Sequence, residues 1–400
     1  MIDKKRPSAA PKWPTGRNSR TGVLAQFGGG RADLVGSALV TGDPLADAVV
    51  DEIHAGGPAV RVKLQHGIEH GLAKVDSPPP GVAALLRHTE AAPAYVDNAL
   101  LDEAPLPFFS APVPVHIISL AAGALVRTYQ SPSIATVLAM TGRLIDGVPR
   151  RIAETGRWVA TAMLPGSLRP GNIGYIATLQ VRMMHAHMRR LARNRGYDEA
   201  AYGVPINQVD LVRTWMDFTL ISYRAEETMG FGLTSVELAS LYRYWWHIGH
   251  LLGIDARLIE GITSHEDAQR VDDLMQAVTG PIIAETGKLA AATLEAIADT
   301  LHEVVHIPNG MARVALHVLA RRFHGHAVLD ELGLPRAAAA DALLTPAFQA
   351  VRVRRARARR DPSAWRKTQQ TNIEATRQRT GTTEQPPAYE HATRPELELN

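Results

Sequence analysis

The chain is 400 residues long, 46% hydrophobic, and carries 43 Lys+Arg against 40 Asp+Glu. That length and two-signed charge describe an ordinary globular protein with ample material for a core. Cysteine is absent, which excludes disulfides, iron–sulfur clusters, cysteine-containing zinc sites and any thiolate-ligated or covalently attached haem.

Met1–Arg20 is basic and proline-rich with no apolar run behind it. It fits neither a secretory nor a twin-arginine leader, so residues 1–25 are expected to be disordered and the protein cytoplasmic. Residues 26–350 read as a single all-α domain. Alanine and leucine are abundant, Val/Ile/Thr alternation is rare, and no Asn-Gly or Asp-Gly hairpin signal separates strand-like runs.

About a dozen helices are expected, beginning near Pro44, Gly81, Val115, Ser133, Leu144, Ile173, Asn207, Ser235, His265, Pro281, Gly310 and Arg336. Ser77-Pro-Pro-Pro-Gly81, Pro165-Gly166, Arg169-Pro-Gly171 and Gly203-Val-Pro205 break the pattern. The most apolar stretch, Ala111–Val126, holds two prolines and His116. It is too short and interrupted for a transmembrane span and predicts a buried helix.

From Val351 to Asn400 there are 11 Lys+Arg and 6 Asp+Glu, net +5, which leaves 32 against 34, net −2, for the rest. The body is near neutral and gives no reason to expect nucleic acid as a partner. Residues 351–400 are expected to form a basic, largely disordered tail, because apolar residues thin out beyond Asp361.

Several constellations have side chains suited to chemistry. His66 and His70 stand four apart, but Gly67 and Gly71 weaken that helix, and a solvated loop or helix end explains them. Arg151 and Thr155 share one helix face and offer a cation and a hydroxyl to a pocket; alone, a surface Arg and a back-bonded Thr are commoner. His185 lies among Val181, Met184 and Met188 and is flanked by Arg182 and Arg189. A neutral imidazole there is a ligand for iron, with flanking arginines to pair with haem propionates. From spacing alone, a core histidine bonded to a carbonyl is the commoner explanation.

Tyr242-Arg-Tyr-Trp-Trp-His247 reads as aromatic core. His302-Glu303-Val-Val-His306 matches H-E-x-x-H, in which two histidines on one helix face hold zinc and the glutamate acts as base. Pro308 ends that helix, and His317, His324, His326 and Glu331 lack decisive spacing as a third ligand. Six arginines between Arg352 and Arg360 read as a solvated helix end.

In order, Gly42-Asp-Pro-Leu-Ala-Asp47, Thr141-Gly-Arg-Leu144, Arg151 with Thr155, Val181-Arg-Met-Met-His-Ala186 and Trp246-His-Ile-Gly-His-Leu-Leu-Gly-Ile254 resemble the latex-clearing proteins and the wider MpaB-type oxygenases. Ile206-Asn-Gln-Val-Asp210 adds a weaker likeness, and the resemblance spans roughly residues 40–335.

The resemblance implies an all-α domain enclosing a haem b pocket, with dioxygen and an apolar, unsaturated small molecule as co-substrates. It implies His185 as the iron ligand, Arg151 steering oxygen or substrate, and Thr155 donating a hydrogen bond to bound oxygen. Arg182, Arg189, Met184 and Met188 would line the cofactor. Rubber-cleaving relatives place a lysine beside the pocket threonine, on the distal side of the iron, and use a glutamate as base; here the residue before Thr155 is Glu154, which would either take the part of that base or face solvent. The alternatives are a zinc hydrolase built on His302, Glu303 and His306, and a haem-binding protein without turnover.

Overall fold

Helix boundaries follow the side chains able to satisfy free backbone amides. The computed structural model describes residues 13–140 and 147–381. Among the described residues fifteen helices run for eight residues or more, and no strand occurs. They are α1 (Arg20–Phe27), α2 (Gly29–Leu39), α3 (Pro44–Gly56), α4 (Pro58–His70), α5 (Pro80–Glu90), α6 (Pro132–Met140), α7 (Val148–Ala162), α8 (Ile173–Asn194), α9 (Gln208–Met216), α10 (Ser235–Leu251), α11 (His265–Thr279), α12 (Ala284–Val305), α13 (Asn309–His324), α14 (Ala338–Ala358) and α15 (Pro362–Thr380).

The all-α expectation holds, with more helices than the dozen expected. Side-chain caps set several starts: Asp43 caps α3 ahead of Pro44, Thr234 and Glu237 form a reciprocal capping box on α10, and Ser264 caps α11.

Two expectations of disorder are corrected. Residues 20–27 form α1, capped by Ser19. The tail beyond Asp361 continues as α15, whose Gln369, Ile373 and Thr376 are buried. Its polar composition hid the packing: Gln369 and Asn372 donate to the carbonyls of Leu106 and Phe109, so amide side chains take the place of an apolar stripe.

The main core gathers α3, α5, α8, α9 and α10 around Trp158, Trp215, Phe218 and Trp245, whose rings meet at centroid separations of 5.7–6.5 Å. The aromatic reading of residues 242–247 is correct: Tyr242, Tyr244, Trp245 and His247 are buried. A second apolar cluster joins α12 and α13 to residues 121–126.

The Ala111–Val126 stretch is helical from Val113 onward, with π-helical turns at Ser119–Leu125 that pack on a second π-helical segment, Asp217–Ile221. Arg127, fully inside, is bidentate to Asp272 and also pairs with Asp217, so each buried charge there has a partner. No single described helix is long and apolar enough to cross a membrane.

Candidate functional site

Helices α7 and α8 are joined by ten residues, 163–172, and pack as an antiparallel pair. Trp158 Nε1 donates to Thr178 Oγ1 at 3.2 Å across the seam. Seven residues make about two helical turns, or roughly 10.5 Å along the axis. Arg151 lies seven residues before Trp158 and His185 seven after Thr178, so both fall on the facing stripes at one level. Around the Trp158–Thr178 bond the seam is closed: Trp158–Ala162 and Gly174–Leu179 are buried. Two turns away it opens. Arg151, Glu154, Thr155 and Gly156 on α7, and Met184, His185 and Met188 on α8, are only half-buried. A methyl group added at Gly156 would meet no atom within 4 Å.

His185 presents a buried Nδ1 with no hydrogen-bond partner. Burial, and the nearby Arg189 cation, push its pKa down to about 4, against a smaller opposing effect of Asp43. The ring is therefore neutral at pH 7 and holds a free lone pair. A core histidine bonded to a carbonyl, the commoner alternative from spacing, is not what the structure contains.

The two arginines beside it behave differently. Arg182 donates to Asp43 through Nε (2.6 Å) and Nη2 (2.9 Å) and to the Leu251 carbonyl. It is committed to the protein, which corrects the expectation that it faces a cofactor. Arg189 is 1% exposed, yet its Nε, Nη1 and Nη2 make no hydrogen bond. Asp47, at 3.3 Å, is its nearest counter-charge among the described residues. Burial lowers the Arg189 pKa, partly offset by Asp47 and Asp43.

Four of the sequence segments that carry the family resemblance meet here, for a structural reason. Asp43 caps α3 through Ala46 N–H and receives Arg182 at the same time. Gln208, within Ile206–Asp210, donates to the carbonyls of Gly42 (2.8 Å) and Gly253 (2.9 Å) and accepts from Asp255 N–H. Gly42 has to be glycine, since a Cβ there would stand 2.4 Å from Arg189 Nε. Gly253, at φ +76°, would place one 2.6 Å from Asp43 Oδ2. These motifs clamp α8 behind His185. Gln208 belongs to the weaker Ile206–Asp210 likeness, and nothing in its spacing signals the bridging role. Thr141–Leu144 lies outside the described residues.

On the opposite stripe, Arg151 Nη2 donates to Tyr129 Oη at 3.1 Å and the guanidinium lies 5.5 Å from that ring's centroid. Thr155 makes no hydrogen bond to the described residues. Glu154, half-buried at the same opening, pairs with Arg150 at 2.7 Å along α7. Met184 and Met188 sit half-buried on the α8 side, Met184 against the main core. A pocket of about 30 Å³ lined by Ile53, Leu64, Gln180, Met183 and His187 is on the other side of α8, more than 100° around the helix from His185, and too small for a macrocycle.

The H-E-x-x-H match does not form a zinc site. His306 lies past the end of α12 in a left-handed conformation (φ 58°), so the two rings do not share a helix face. His302 Nδ1 is bonded to the Ile307 carbonyl at 2.9 Å. Among the described residues no group of three His, Cys, Asp or Glu gathers with metal-binding geometry. His66 and His70 stack at 4.5 Å on the last turn of α4, a helix end as read.

The chain is all-α, with a neutral, unpartnered imidazole on α8 and Arg151 and Thr155 on the helix packed against it, α7. Residues 113–357 match the family model described as ER-bound oxygenase mpaB/B'/rubber oxygenase, catalytic domain. A solved structure titled latex clearing protein LCP in the closed state superposes with a TM-score of 0.63 at 19% identity, covering 86% of this chain and 91% of that one. No curated protein sequence matches the chain. The chain belongs to the mpaB/rubber oxygenase family, and is an oxidoreductase of the oxygenase type.

Proposed function

We propose that this protein is a haem b-dependent oxygenase acting with dioxygen on an apolar, unsaturated small molecule, with His185 as the iron ligand. The observation that carries the reading is the His185 imidazole: neutral, buried at Nδ1, unpartnered, and level with Arg151 across a seam that opens there. A buried polar nitrogen without a partner costs about 1–3 kcal/mol, a cost that a metal bond would remove. The same holds for the Arg189 guanidinium, whose free N–H groups fit a carboxylate such as a haem propionate.

Haem, when bound, supplies the electrons that activate dioxygen. The protein's own part is binding and electrostatics. Arg182, locked by Asp43, fixes the turn before His185, so the imidazole is held by a rigid helix. Arg151, oriented by Tyr129, places a positive charge toward the opening. Thr155 offers an uncommitted hydroxyl, which would donate to negative charge developing on oxygen. Met184 and Met188 line the opening with polarisable apolar surface.

The test is an absorption spectrum of the purified protein reconstituted with haemin, before and after dithionite, together with oxygen uptake on unsaturated hydrocarbons. A Soret band and oxygen consumption are expected. Thr155→Val should keep the band and lower uptake about a hundredfold to a thousandfold, as loss of one stabilising donor does. Unchanged uptake would remove Thr155 from the reaction.

A further inference from the structure

The second feature that calls for an explanation is the outer face of α14. Leu343, Pro346, Ala350, Val353, Arg354 and Arg357 fall within about 100° of one another around that helix, by the 3.6-residue period. All six are exposed, Leu343 by 74% and Val353 by 50%. The opposite side packs inward through Leu344, Phe348 and Arg355, the last donating to Ser110 and lying over Phe231 and Trp365. The outer stripe is thus apolar toward its start and cationic toward its end. An open depression lined by Gln349, Ala350, Val353, Arg354 and Arg357 marks it.

Charge distribution sets this face apart. Several exposed arginines on the body have acidic partners (Arg20 with Asp33, Arg190 with Asp51, Arg193 with Glu199, Arg270 with Glu266, Arg313 with Glu295), and those without one among the described residues, such as Arg31, Arg61 and Arg87, are scattered over different helices. Arg354 and Arg357, with Arg360, Arg366 and Lys367 just beyond, have none among the described residues. Residues 352–380 hold ten Lys+Arg against Asp361 and Glu374, net +8. Arg359 is paired with Glu237 and Arg355 is turned inward to Ser110, but the excess of positive charge around Arg354, Arg357, Arg360, Arg366 and Lys367 favours an anionic surface against this face.

We infer that the α14 face docks on an anionic phospholipid bilayer. Cations interleaved with exposed leucine and valine at helical spacing are what a helix lying in a membrane interface presents: the arginines meet lipid phosphates and the apolar side chains enter the acyl boundary. Nucleic acid satisfies only the charge. Leu343 and Val353 gain nothing on a phosphodiester backbone, and the stripe has no exposed aromatic ring to stack on bases: Phe348 lies under Arg322, and Trp365 is held by Arg355 and Arg359. This surface is separate from His185, and the two readings stand or fall apart.

The test is co-sedimentation of the full chain with phosphatidylcholine vesicles containing or lacking phosphatidylglycerol, beside binding to a random duplex DNA at the same salt. Binding to the anionic vesicles alone is expected, weakening as salt rises. Each interfacial cation contributes roughly fivefold. Arg354→Gln with Arg357→Gln should therefore weaken vesicle binding about thirtyfold. Leu343→Ser should weaken it even at low salt. All three positions are exposed, so folding is not at risk. Equal binding to neutral vesicles, no vesicle binding, variants indistinguishable from the parent, or stronger binding to DNA than to anionic vesicles would each overturn the inference.

Discussion

Arg182 and Arg189 stand three residues before and four after one histidine, and the structure gives them opposite circumstances. The Arg182–Asp43 pair is buried on both sides, at 2% and 3% exposure. Removing one partner of such a pair leaves an uncompensated charge and costs about 3–5 kcal/mol. Asp43→Ala should lower unfolding free energy by that amount in urea titrations. Arg190→Ala, which breaks the exposed pair with Asp51, should cost below about 1 kcal/mol. If the two variants lose equal stability, Asp43 does not clamp α8. Arg189→Gln should fold normally and bind haem more weakly, read as a higher haemin dissociation constant. Glu154→Gln should leave haem content unchanged, because the Glu154 carboxylate is paired with Arg150 along α7.

At the scale of elements, what the sequence revealed depended on whether a signal was local. Helix starts near Pro44, Ser235 and His265 were legible because their caps, Asp43, Thr234 and Ser264, are local hydrogen-bond chemistry. The imidazole on α8 stood out because histidine is unusual among methionines. The Gln208 bridge was illegible, since it joins residues 166 and 45 positions away. Helix α15 was misread because composition reports hydrophobicity, whereas Gln369 and Asn372 anchor that helix by hydrogen bonds to carbonyls. The few apolar side chains it does bury carry weight accordingly. Ile373 is 3% exposed, and Ile373→Ala should cost about 2–4 kcal/mol by chemical denaturation. A cost below 1 kcal/mol would mean that α15 contributes little to the folded domain.

For the molecule as a whole, buried neutral histidines tie stability to pH. Burial pushes His185, His247, His250, His265 and His324 down to about 4. Their unfolded-state value is 6.5, so between these limits the unfolded chain binds more protons than the folded one. Stability is full above about pH 6.5 and is lost as pH falls toward 4. The urea midpoint should drop between pH 7.5 and pH 5, and a flat or rising midpoint would contradict the burial of these rings. The central claim concerns only one of them. Haemin titration of the parent and of His185→Ala, followed at the Soret wavelength with far-UV circular dichroism confirming equal folding, tests it most directly. The account predicts a saturable band at about one haem per chain in the parent and none in the variant. An equal band in both proteins, or none in the parent, would contradict it.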